Sequence, residues 1–110
     1  METKVIRPDP EKLQYIIDCL STEEILAQLA EEASELSHAA LKLRRAIDGG
    51  NPTPVTEREA MKNLMEEIAD VWLLIQILEL DQQSYINAYR GAMVQKTERW
   101  AKRLDWGSEG

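Results

Sequence analysis

From Ile25 to Ile47 the apolar residues recur at helical spacing without a break. Ile25, Leu26, Leu29, Ala33, Leu36, Ala40, Leu43 and Ile47 form one continuous stripe. A helix this long with one apolar face has to lie against other helices. Ser21 with Glu24 three residues on has the spacing of a capping box, so the helix opens at Thr22. Gly49-Gly50-Asn51-Pro52-Thr53-Pro54 is the strongest breaker cluster in the chain and closes it at about Asp48. No segment shows sustained period-2 alternation of β-branched residues, so no strand is predicted.

The remaining elements are helical too. Pro8 and Pro10 hold residues 1–9 extended or turned, and Leu13, Ile16 and Ile17 mark a short first helix over Glu11 to Cys19. A third helix starts near Thr56, with Glu57 and Glu59 where the helix dipole favours anions, and runs to about Leu80. Met61, Leu64, Met65, Ile68, Val71, Trp72 and Ile75 make its first stripe. From Val71 to Leu78 it is apolar nearly all round, as in a helix surrounded by others. A fourth helix begins near Asp81 and reaches about Leu104, with Gly91 marking close packing or a bend. Residues 105–110 read as a tail. The expected fold is all-α: a helical bundle of one short and three longer helices, in a single domain spanning residues 1–110. The chain has 110 residues, too few for these helices to enclose the third one easily, so a second copy is expected to complete the core.

Composition narrows the function. The net charge of −7 argues against non-specific binding to nucleic acid or to anionic membranes. The longest apolar run, Val71 to Leu80, is interrupted by Gln76 and Glu79 and falls short of the ~20 residues that span a bilayer. METKVIRPDP has no apolar core of a secretory signal, so a cytoplasmic protein is expected. One cysteine, Cys19, excludes a disulfide within the chain and a cysteine-based zinc site. One histidine, His38, excludes a histidine-rich metal site in one chain.

The acidic clusters carry the chemistry. Glu31-Glu32-Ala33-Ser34-Glu35 lies on the second helix and Glu66-Glu67-Ile68-Ala69-Asp70 on the third. Glu32 with Glu35, and Glu67 with Asp70, are three apart and share a helix face. At about 100° per residue, Glu32 falls at the edge of the stripe through Ile25, Leu36 and Leu43. Glu35 lies further round and Glu31 further still. Glu67 and Asp70 project nearly along the line of Leu74 and Ile77. Acidic pairs on helices are commonly solvated faces. Here two pairs flank one core, where unpaired ionised carboxylates are costly, and basic residues are scarce in both segments. A divalent cation resolves this, and Mg²⁺ with its preference for hard oxygen ligands suits the donor set.

The string Glu31-Glu32-Ala33-Ser34-Glu35-Leu36, followed by Glu66-Glu67-Ile68-Ala69-Asp70-Val71, resembles the E-E-x-x-E … E-x-x-D pattern of the MazG-like all-α nucleoside triphosphate pyrophosphohydrolases. The resemblance covers roughly Leu26 to Arg103. It implies a homodimeric or homotetrameric bundle that uses Mg²⁺, with Mn²⁺ as a substitute, to cleave an NTP or dNTP to the monophosphate and pyrophosphate. Carried over, Glu32, Glu35, Glu67 and Asp70 would be the metal ligands. Lys96, Arg99 and Arg103 on the last helix would meet the phosphates. The connection around Gly49 to Val55 spaces the two motifs more widely than in many members.

The chemistry suits these residue types. Cleaving a triphosphate needs charge neutralisation and a positioned water. A carboxylate not saturated by metal accepts the proton, with Glu35 or Glu31 in that role. Lys96, Arg99, Lys102 and Arg103 also complement the dipole of their own helix. Rival readings are a phosphoribosyl-ATP pyrophosphatase and a non-catalytic helical interaction module. A third is a di-iron bundle built on Glu35-Leu36-Ser37-His38 and Glu67. Trp72 is expected in the core, Trp100 and Trp106 in the core or an interface, and Cys19 as a small buried residue.

Overall fold

The computed structural model describes residues 6–49 and 55–107. The expected breaker cluster falls mostly outside these residues, as do the first part of the extended start and the end of the tail. Four helices follow one another, and there is no strand among the described residues. They are α1 (Pro10–Cys19), α2 (Thr22–Asp48), α3 (Glu57–Ile77) and α4 (Gln83–Arg103). No helix among the described residues is long and apolar enough to cross a membrane. The chain divides after Leu78 into two compact units, the first holding α1 to α3 and the second α4.

The helix starts are set by their caps. The Asp9 carboxylate accepts from the Glu11 N–H at 2.9 Å, and Pro10 sits where no N–H is needed. Ser21 and Glu24 form the expected reciprocal box: the Ser21 hydroxyl accepts from the Glu24 N–H at 3.1 Å, and the Glu24 carboxylate from the Ser21 N–H at 3.2 Å. The Thr56 hydroxyl accepts from the Glu59 N–H at 3.1 Å, ahead of two acidic residues in the first turn of α3. At the end of α2, Gly49 takes φ 64°, and its N–H donates to the Arg45 carbonyl at 2.9 Å.

In the first unit α2 packs antiparallel to α3. Ile25 near the start of α2 clusters with Leu74 and Ile77 near the end of α3. Leu13, Ile16 and Ile17 of α1 pack against the same cluster, with Leu29, Leu73 and Leu78. Ala39, Leu43 and Ala60 are also buried.

This packing corrects the expected face of α3. The buried line runs through Ala60, Leu74 and Ile77, with Leu64 and Val71 half-buried. Met61, Met65, Ile68 and Trp72 form a second stripe that is exposed, Trp72 at 58%. Two apolar lines run along α3, and hydropathy alone does not decide which of them meets α2. On α2, Leu26 and Ile47 are exposed and Ala39 takes a buried place instead. Cys19 is exposed rather than buried. It lies two residues past Ile17 and so turns to the opposite side of α1.

The α3–α4 boundary also differs from the expected one. α3 ends three residues before Leu80, because Glu79 adopts a left-handed backbone at φ 59° that no helix can propagate. The Leu78 N–H still donates to the Leu74 carbonyl at 2.9 Å. In the second unit, the Tyr89 hydroxyl donates to the Leu80 carbonyl at 2.7 Å and fixes the turn that follows. α4 then starts two residues after Asp81, with Gln82 extended at its cap. No residue of α4 is buried, and Trp100 and Trp106 are exposed. A Cβ built at Gly91 would meet no atom within 4 Å, so close packing within the second unit does not explain the glycine.

Candidate metal centre

The α2–α3 pairing brings three carboxylates together. Glu32, Glu67 and Asp70 each offer an oxygen, and these oxygens lie within 4.8 Å of one another. The antiparallel register that sets Ile25 beside Leu74 and Ile77 also sets Glu32, two turns further along α2, opposite Glu67 and Asp70. Glu67 and Asp70, three apart on α3, then share the face turned to Glu32. Glu32 and Glu67 are half-buried and Asp70 is exposed.

Glu67 sits in the least favourable place. Its Oε2 atom is buried and accepts no hydrogen bond. Burial raises its pKa above the ordinary value of 4.5, followed by the charges of Asp70, Glu32 and Glu35 and a side-chain hydrogen bond with Asp70. Every one of these influences favours the protonated form, and none comes from a protein cation. A buried carboxylate oxygen with acidic neighbours and no cation is the environment a bound cation relieves. The donors are all hard oxygens, which fits Mg²⁺ or Mn²⁺ rather than a site of nitrogen or sulfur ligands.

Of the four expected ligands, the structure brings three into this group. Glu35 is exposed and outside it, although its charge reaches Glu67. It lies about 60° round α2 from Glu32. Glu31 is exposed and does not join the group, and neither does His38. In the second unit, Lys96, Arg99 and Arg103 border one open surface of α4 with Trp100 and Lys102.

One residue of the centre was not expected. The Gln28 amide, one turn before Glu32 on α2, donates to the Glu32 Oε1 at 2.9 Å. Its i,i+4 spacing was the available signal. Comparison of the chain with family models, curated proteins and solved structures gave no match.

Proposed function

We infer that the chain is a Mg²⁺-dependent pyrophosphohydrolase that converts a nucleoside triphosphate, ribo or deoxyribo, to the monophosphate and pyrophosphate. The observation that carries this reading is the grouping of Glu32, Glu67 and Asp70 oxygens within 4.8 Å, with the Glu67 Oε2 atom buried and without a hydrogen-bond partner. The motif resemblance supports it and supplies the reaction. Glu32, Glu67 and Asp70 would hold Mg²⁺, with Glu35 joining from the rim, and Mn²⁺ would substitute. When bound, the metal supplies charge neutralisation at the phosphate oxygens and acidifies water.

The rest falls to the chain's own groups. Glu35 is exposed beside the cluster, where its carboxylate can accept a proton from the attacking water. Glu31, one residue before Glu32, is the second base candidate. The water oxygen bonds to phosphorus of the α–β anhydride, the bridging P–O bond breaks, and pyrophosphate leaves. Lys96, Arg99 and Arg103 present cations on one surface of α4, which the motif resemblance would give to phosphate. The exposed stripe of Met61, Met65, Ile68 and Trp72 supports a homodimer or homotetramer in which a second copy covers this face.

The test is a panel of ribo- and deoxyribonucleoside triphosphates assayed with Mg²⁺, reading pyrophosphate and the monophosphate together. The reading expects pyrophosphate release from at least one of them and loss of that release with chelator. Release of orthophosphate alone, or no turnover across the panel, would contradict it.

A further inference from the structure

Glu32 is tethered by a bond that α2 does not need. The Gln28 side chain donates from Nε2 to Glu32 Oε1 at 2.9 Å on an exposed stretch of the helix. Such pairs add little to a helix already capped at both ends. What this one does is fix a side chain. Glu32 faces two other carboxylates within 4.8 Å. Repulsion and the gain of hydration both favour swinging it out to water. Glu67 has a buried carboxylate oxygen, whereas Glu32 has a side-chain donor on its own helix that can set its rotamer.

We propose that Gln28 is a positioning residue for the metal centre, holding the Glu32 carboxylate toward Glu67 and Asp70. The proposal rests on the functional reading above and deepens it. The residue type matters. A lysine or arginine at 28 would also reach Glu32, but its charge would neutralise a ligand and compete with the incoming cation. A neutral amide donates without subtracting from the negative charge of the site. It occupies one lone pair of Oε1 and leaves Oε2 free. Hydrogen bonds that orient ligating side chains are worth about 10–100-fold in metal affinity.

The test uses the full chain and Mn²⁺ as the probe, with affinity read by titration calorimetry and melting read in chelator. Gln28→Met keeps length and helix propensity but removes the donor. It is expected to weaken Mn²⁺ binding about tenfold or more while the metal-free melting temperature stays at the wild-type value. Turnover at saturating metal should recover toward wild type, so the loss appears in the metal requirement rather than in kcat. Gln28→Lys restores a donor yet should bind Mn²⁺ more weakly than Gln28→Met. Wild-type Mn²⁺ affinity in Gln28→Met, or a loss confined to metal-free melting, would overturn the proposal and reduce the bond to a helix-surface pair. Failure of the wild-type chain itself to bind Mn²⁺ would overturn the metal reading, and this proposal with it.

Discussion

α3 turns two apolar faces in different directions, and their contents differ. The face toward α2 carries Ala60, Leu74 and Ile77 in the core, Leu74 being 8% exposed, and in the same line it carries Glu67. The other face carries Met61, Met65, Ile68 and Trp72 with no charge among them, and Met65 is 62% exposed. The more apolar face is thus the one left open, while the buried face contains the ionisable group. Two physical demands explain the pair. A carboxylate is tolerated on a packed face only where something offsets its desolvation. An exposed apolar stripe is the surface that the proposed second copy would cover.

Leu74→Ala should cost about 2–4 kcal/mol in denaturant unfolding, since Leu74 anchors the cluster with Ile25 and Ile77. On the open face, Met65→Ala should cost comparably only if a second copy covers it, and the cost should then grow on dilution. A loss within ~0.5 kcal/mol at every concentration would show that face to be free. Trp72→Glu should lower the assembled mass in ultracentrifugation, and an unchanged mass would remove the oligomer from the account. A smaller effect is expected at Gly91, where a Cβ would meet no atom within 4 Å. Gly91→Ala should gain about 1 kcal/mol from helix propensity, and a loss would show that something packs against that position.

The pH dependence sharpens the contrast from the polar side. Glu67 is raised in the folded chain, so without metal its neutral form is the stabilising one. Its contribution is present below the ordinary value of 4.5 and is lost as pH rises through the raised folded value. In chelator, the stability of wild type relative to Glu67→Gln should therefore fall as pH rises from about 4.5 toward neutrality. A difference that does not change with pH would show that Glu67 titrates as in the unfolded chain.

The sequence made some of this legible and not the rest, for identifiable reasons. The starts of α2 and α3 follow from Ser21 with Glu24 and from Thr56, because a cap is a local device with fixed spacing. The places of Glu32, Glu67 and Asp70 follow from helical phase, because Leu74 and Ile77 mark the line on which Glu67 lies. The end of α3 was not legible, since the left-handed residue is Glu79, a type that gives no signal for that backbone. Nor was the partnered face of α3, where two apolar stripes compete and the packing of α2 decides. Trp72 lies on the open stripe. Glu35 matched the motif but is exposed and stands outside the group of three.

The central claim is that Glu67 is a cation ligand rather than a structural acid. The most direct measurement is the melting temperature of wild type and Glu67→Gln with Mg²⁺ and with chelator, run beside pyrophosphate release. Mg²⁺ is expected to raise the melting temperature of wild type and not of the variant. The variant is expected to melt no lower than wild type in chelator and to lose turnover by ~100-fold or more, beyond the range seen when only an outer-shell partner of a ligand is removed. A wild-type melting temperature indifferent to Mg²⁺, or a folded Glu67→Gln that turns over normally, would contradict it.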